Sequence, residues 1–133
     1  MIARRALASS LNIPAVLTLN KVGLENFWKM LNELGFSLEQ QADYYGNALA
    51  LGGADINLWQ LANAYRALAN QGQFSEATLE LSSPTSPTKT ILSPQASFIV
   101  ADILSDRNAR SLTFGYENLL ATLFWSAAKT GTG

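Results

Sequence analysis

The sequence predicts a mainly α fold with a few short strands and a C-terminal sheet strand. Three observations carry that expectation. Apolar residues recur at helical spacing at 24, 27, 28, 30, 31 and 34; helix-start signals stand at Asn57 and at Ser93-Pro94; and a β-like, aromatic-containing run, Leu119 to Ala128, leads into Lys129-Thr130-Gly131-Thr132-Gly133. A chain of 133 residues suggests one domain or a substantial part of one. Its 48% apolar content is enough to fill a single compact core.

Ile2 to Ser9 is Ala- and Arg-rich and reads as the end of a helix begun upstream. Ser10-Leu11-Asn12-Ile13-Pro14 interrupts it, and Pro14 suits the first position of a new helix continuing through Val22, because its missing N–H is harmless there. The Leu24–Leu34 segment is amphipathic, with Gly35 as its stop, and its stripe is core. Residues 37–48 are weakly patterned and read as loop, with Tyr44-Tyr45-Gly46 as a packed turn.

Asn57 caps a helix over Leu58 to Ala69, and Gly72 lies past its end. Thr78 to Leu81 and Thr90 to Leu92 are predicted as short strands flanking a Ser/Thr/Pro-rich loop at about 82–90. Ser93 then caps a helix whose first residue is Pro94 and whose body runs from Ala96 to Leu104. Residues 106–110 read as a polar, charged connection.

The net charge of −1, with acids and bases mixed, carries neither the basic footprint of a nucleic-acid binder nor a polybasic membrane patch. The chain has no cysteine and no histidine, which excludes disulfides, thiolate chemistry, the usual zinc sites and any Ser-His-Asp triad. A catalytic base would have to be Lys, Asp, Glu or Tyr. No window approaches the ~20 apolar residues of a membrane span. The Arg4-Arg5 start does not lead into an apolar stretch long enough for a signal peptide. Met1 is read as the start of a truncated piece, with any targeting segment upstream.

Gly52-Gly53 is a tight turn rather than a phosphate loop, since no Gly-Lys-Ser/Thr follows. Lys129-Thr130-Gly131-Thr132 closing an apolar run carries more chemistry. The lysine supplies positive charge beside a substrate, the threonine hydroxyls can hold a carboxylate, and glycine lets a substrate backbone approach. Ser10-Leu11-Asn12 and Lys129-Thr130-Gly131 stand in the order of the second and third motifs of the set Ser-x-x-Lys, Ser-Asp-Asn and Lys-Thr-Gly.

The surrounding text extends the match. Ala6 to Val16, Tyr45-Gly46 to Gly53, Leu61 to Gly72, Ser93 to Phe98, Ala101 to Leu104 and Asp106 to Gly115 all resemble segments of class A penicillin-binding proteins, as does Phe124 to Thr132. The resemblance covers nearly the whole chain. It implies the helical lobe of the penicillin-binding transpeptidase and serine β-lactamase-like α+β fold, with residues 1–133 forming a partial transpeptidase domain from second to third motif.

The resemblance further implies that Ser10 helps pass a proton toward the leaving amine, and that Asn12 binds the donor peptide's amide and orients the general-base lysine. Lys129 gives positive potential for the terminal D-alanine carboxylate, to which Thr130 and Thr132 donate hydroxyl hydrogen bonds. Gly131 lets the substrate approach. The Thr132 N–H forms half of an oxyanion hole worth ~3 kcal/mol. Peptidoglycan stem peptides and β-lactams are the implied partners, with no cofactor and no metal. The implied parent is membrane-anchored at the periplasmic or extracytoplasmic face, with a glycosyltransferase domain upstream.

The Ser-x-x-Lys nucleophile motif is expected several tens of residues before Ser10, upstream of this chain. Ser126-Ala127-Ala128-Lys129 and Ser86-Pro87-Thr88-Lys89 match its letters but follow Ser10 instead. The isolated chain is therefore expected to be inactive. Two further readings stand beside this one: a non-catalytic helical interaction module that self-associates through an exposed sheet-facing surface, and a fragment of a serine β-lactamase-type hydrolase.

Overall fold

The alanines and arginines of residues 3–8 form a short helix, α1 (Ala3–Ala8), in a computed structural model that describes residues 2–84 and 86–131. A second helix, α2 (Asn12–Val22), starts two residues earlier than Pro14 suggests. Pro14 is its third residue, still inside the first turn, where no intrahelical N–H bond is lost. Gly23 separates α2 from α3 (Leu24–Glu33), whose apolar stripe packs half-buried on the core. Gly35 ends α3 as expected: at φ +85° its N–H reaches the Asn32 carbonyl, while Phe36 N–H reaches Leu31. That pair of bonds is a Schellman cap.

The stretch read as loop contains α4 (Ala42–Tyr45) followed by a 3-10 segment, Gly46–Leu51. Both are too short to show a period, and they form because Ala42 and Leu49 can be buried. The Asn57 helix, α5 (Leu58–Ala69), carries a full capping box, with Asn57 Oδ1 accepting from Gln60 N–H at 2.8 Å and Gln60 Oε1 from Asn57 N–H at 3.1 Å.

The two expected strands move. Strand β1 (Gln73–Phe74) pairs antiparallel with β2 (Lys89–Thr90), Gln73 opposite Thr90. Of the predicted segments only Thr90 lies in a strand. The ladder grows from the end of α5, because Gly72's carbonyl takes the N–H of both Ile91 and Leu92, and Phe74 buries its ring beside it. Residues 78–81 have nothing to bury against, and Leu79 is 87% exposed.

Helix α6 (Pro94–Ser105) has Ser93 as cap and Pro94 as its first residue, as the sequence indicates. The polar stretch after it is not a connection but the start of α7 (Arg107–Phe114). Asp106 caps this helix through Ala109 N–H at 3.0 Å. Its buried face is Ala109 and Arg110, which gives no hydrophobic stripe to read. The 119–128 run has no ladder partner among the described residues, so the expected C-terminal strand is not formed among them. A strand exists only by pairing, and the run is instead held at single points, by Ala128 N–H on the Leu104 carbonyl and by Arg107 on the Thr122 carbonyl.

Leu34, Phe36, Leu38, Leu49, Ala64, Ala67 and Phe74 form the main core under α3 and α5. A smaller cluster of Ala8, Ile103 and Ala109 joins α1, α6 and α7. Arg4 ties the same junction from outside, at 2.5 Å from Asp102 and 3.2 Å from Asp106. No described helix is long and apolar enough to cross a membrane.

Candidate active site

The end of α1 decides where Ser10 sits. Ser9 is the last half-helical residue, Ser10 N–H reaches the Leu7 carbonyl at 3.1 Å, and Leu11 N–H reaches Ala6 at 3.0 Å. This is the Schellman cap again, and Ser10 occupies its left-handed position at φ +56°. Glycine is the usual occupant there, because a side chain costs roughly 1–2 kcal/mol in that conformation. The chain thus places a hydroxyl where backbone energetics prefer no side chain. A strained residue of this kind persists only when its surroundings over-determine it.

The surroundings do so. Ser9, fully buried, donates from Oγ to the Ala109 carbonyl at 2.9 Å, and its own carbonyl accepts from Thr113 Oγ1 at 2.9 Å. On the opposite side Lys129 Nζ donates to Ser10 Oγ at 2.7 Å and to the Thr130 carbonyl at 2.7 Å. Partial burial pushes the Lys129 ammonium below the ordinary lysine value. The lysine nitrogen therefore bridges the second-motif serine and the third-motif backbone.

Of the residues singled out from sequence, Ser10, Lys129 and Thr130 come together. Asn12 is exposed in the first turn of α2, next to but outside this contact. Gly131 is exposed with open space around it: a Cβ there would meet nothing within 4 Å. Thr132 lies outside the described residues. Ser126 shares a hydrogen bond with Thr122 at 2.7 Å, so the hydroxyl of the overlapping Ser-x-x-Lys letters points to another partner than Lys129. Among the described residues no cluster of Asp and Glu is placed to hold a metal ion. Ser9, Ala109 and Thr113 were missed by sequence reasoning, since a buried serine and a threonine on a polar helix carry no motif.

In the comparison with protein families, residues 1–133 match the penicillin binding protein transpeptidase domain. The chain belongs to that family. Its fold is accordingly the penicillin-binding protein and β-lactamase-like one, here seen as a helical portion with a small two-stranded sheet. The family is one of penicillin-binding, peptidoglycan cross-linking transpeptidases.

Among curated relatives, the chain is 34% identical over 128 residues to penicillin-binding protein 1C of Escherichia coli (strain K12), covering 96% of the chain and 16% of that protein. It is 32% identical over 113 residues to penicillin-binding protein 1A of Clostridium botulinum, covering 76% and 14%. To penicillin-binding protein 2a of Streptococcus pneumoniae it is 38% identical over 73 residues, covering 55% and 10%. The chain thus spans less than a fifth of the length of these relatives. No solved structure matches it.

Proposed function

We propose that this chain forms two walls of the active-site cleft of a serine D,D-transpeptidase that cross-links peptidoglycan stem peptides. The observation that carries the reading is the 2.7 Å hydrogen bond from Lys129 Nζ to Ser10 Oγ. It brings the two motifs from opposite ends of the chain into contact.

The chemistry follows from the donor direction. Lys129 donates to the Ser10 oxygen, which leaves the hydroxyl proton of Ser10 free to point into the cleft. A nucleophilic serine on a segment outside this chain attacks the carbonyl of the D-Ala-D-Ala peptide bond. The nucleophile's proton goes to a general base that also lies outside this chain. As the bond to the leaving amine breaks, Ser10 passes that amine its hydroxyl proton and takes the base's proton in its place, and D-alanine departs. The amine of a neighbouring stem then attacks the acyl-serine, which restores the serine and forms the cross-link.

The positive charge of Lys129 and the hydroxyls of Thr130 and Thr132 receive the terminal carboxylate, and a β-lactam carboxylate would occupy the same place. Asn12, exposed beside the contact, is free to take the donor peptide's amide. The open space at Gly131 leaves room for the substrate backbone. The Thr132 N–H supplies half of the oxyanion hole, and the nucleophile's own N–H the other half. The parent enzyme acts outside the cytoplasmic membrane, to which it is anchored, and carries a glycosyltransferase domain.

By itself the 133-residue chain forms no covalent penicillin adduct and transfers no stem peptide, because no Ser-x-x-Lys precedes Ser10. Incubation with fluorescent penicillin and denaturing electrophoresis tests this. The expected result is an unlabelled band; a labelled one overturns it and returns Ser126 or Ser86 as nucleophile.

A further inference from the structure

The geometry points to Ser9 and Thr113 as positioning residues that set the Ser10–Lys129 separation through the corner between α6 and α7. This rests on the reading of Ser10 and Lys129 as a working pair, and it names what holds them at bonding distance.

Both halves of the pair hang from that one corner. On the serine side, Ser9 Oγ donates to the Ala109 carbonyl and Thr113 Oγ1 donates to the Ser9 carbonyl, each at 2.9 Å. Ala109 and Thr113 are one turn apart on α7, so the two bonds clamp the cap residue of α1 from two points. On the lysine side, Ala128 N–H donates to the Leu104 carbonyl at 3.0 Å, near the end of α6. Asp106 is both the last cap of α6 and the N-cap of α7, which makes the two helices a single bracket. Arg4 braces α1 to it through Asp102 and Asp106.

The clamp matters because Ser10 sits at φ +56°, a conformation that a residue with a side chain leaves when it is not held. Releasing the Ser9 carbonyl frees the peptide plane that leads into Ser10. Relaxation there swings Oγ away from Lys129 while α1 and α7 remain packed through Ala8, Ile103 and Ala109. Neither Ser9 nor Thr113 touches the lysine in the described hydrogen bonds, so they act through Ser10 and are not catalytic residues.

The test uses the 133-residue chain and the 13Cε NMR signal of Lys129, assigned by its loss in K129M. Ser10→Ala defines the shift that marks a broken contact. Thr113→Val, which keeps the side-chain shape and removes the hydroxyl, is expected to move the signal in the same direction by at least half as much. Thr113→Ser, which keeps the hydroxyl, is expected to restore the original position. Ser9→Ala should act like Thr113→Val. If Ser10→Ala moves the signal and Thr113→Val does not, or if Thr113→Ser fails to restore it, the positioning role is overturned while the pair survives. If Ser10→Ala itself leaves the signal unmoved, the pair is absent, and the functional reading falls together with the clamp.

Discussion

Lys129 Nζ lies 2.7 Å from Ser10 Oγ although 119 residues separate them in sequence. Half-buried, the lysine holds its proton less tightly than a free one. Between its lowered folded pKa and the ordinary value near ~10.4, the unfolded chain binds more protons than the folded one, so stability rises with pH across that window. Below the window the cost of burying the charge is fully present. Urea unfolding from pH 7 to 11 should show this upward contribution in the wild type and lack it in Lys129→Met.

The left-handed Ser10 gives a second prediction. Ser10→Ala and Ser10→Gly both delete the hydroxyl, so their difference isolates the backbone. The glycine variant should be more stable than the alanine variant by about 1 kcal/mol. Equal denaturation midpoints would mean that Ser10 is not strained in solution.

Asp106 joins α6 to α7, and its carboxyl is held below the ordinary range by the Ala109 N–H it accepts and by Arg4. A depressed carboxyl stabilises the fold above the ordinary Asp pKa, and that contribution is lost as pH falls through this range toward the folded value. Asp106→Ala should cost about 1 kcal/mol at pH 7 for the lost cap. The gap between variant and wild type should narrow in acid, which paired chemical denaturation at pH 7 and pH 3 will read.

Gly72 sits at φ +83°, and an added Cβ would stand 2.0 Å from the Leu92 carbonyl oxygen. That oxygen belongs to backbone and cannot turn aside. Gly72→Ala should therefore destabilise by about 3 kcal/mol and break the β1–β2 pairing. Loss of the amide protection of Ile91, whose N–H binds the Gly72 carbonyl, is the local readout.

Phe98 and Trp125, each 72% exposed, line an apolar groove with Leu68 and Ile99. An uncovered surface of this kind favours association. Light scattering of the isolated chain should show a mass that grows with concentration, and Phe98→Ser should reduce that growth. A monomer at every concentration would count against the surface.

The features legible in the sequence are those that close within a few residues. The Asn57 capping box, the Ser93-Pro94 start and the Gly35 stop each satisfy orphan helix groups with partners three to five positions away, so the letters alone specify them. The α3 stripe is legible for the same reason, since its period is local. Residues 106–110 were misread because α7 buries an alanine and an arginine, which no hydropathy pattern marks. The strands were misplaced because pairing is set by where Phe74 can be buried and where Gly72 presents its carbonyl.

The site divides along the same line. By itself the sequence determined the chemistry available: no cysteine or histidine, a Ser-x-Asn near one end and a Lys-Thr-Gly-Thr near the other. Only the tertiary structure decided that Lys129 meets Ser10 rather than the nearer Ser126, and that Ser9 bonds to Ala109 and Thr113 beside it. A spacing along the chain constrains only what lies within a turn or two. Contacts between distant residues depend on how α1, α6 and α7 pack, and that packing comes from burying Ala8, Ile103 and Ala109 together.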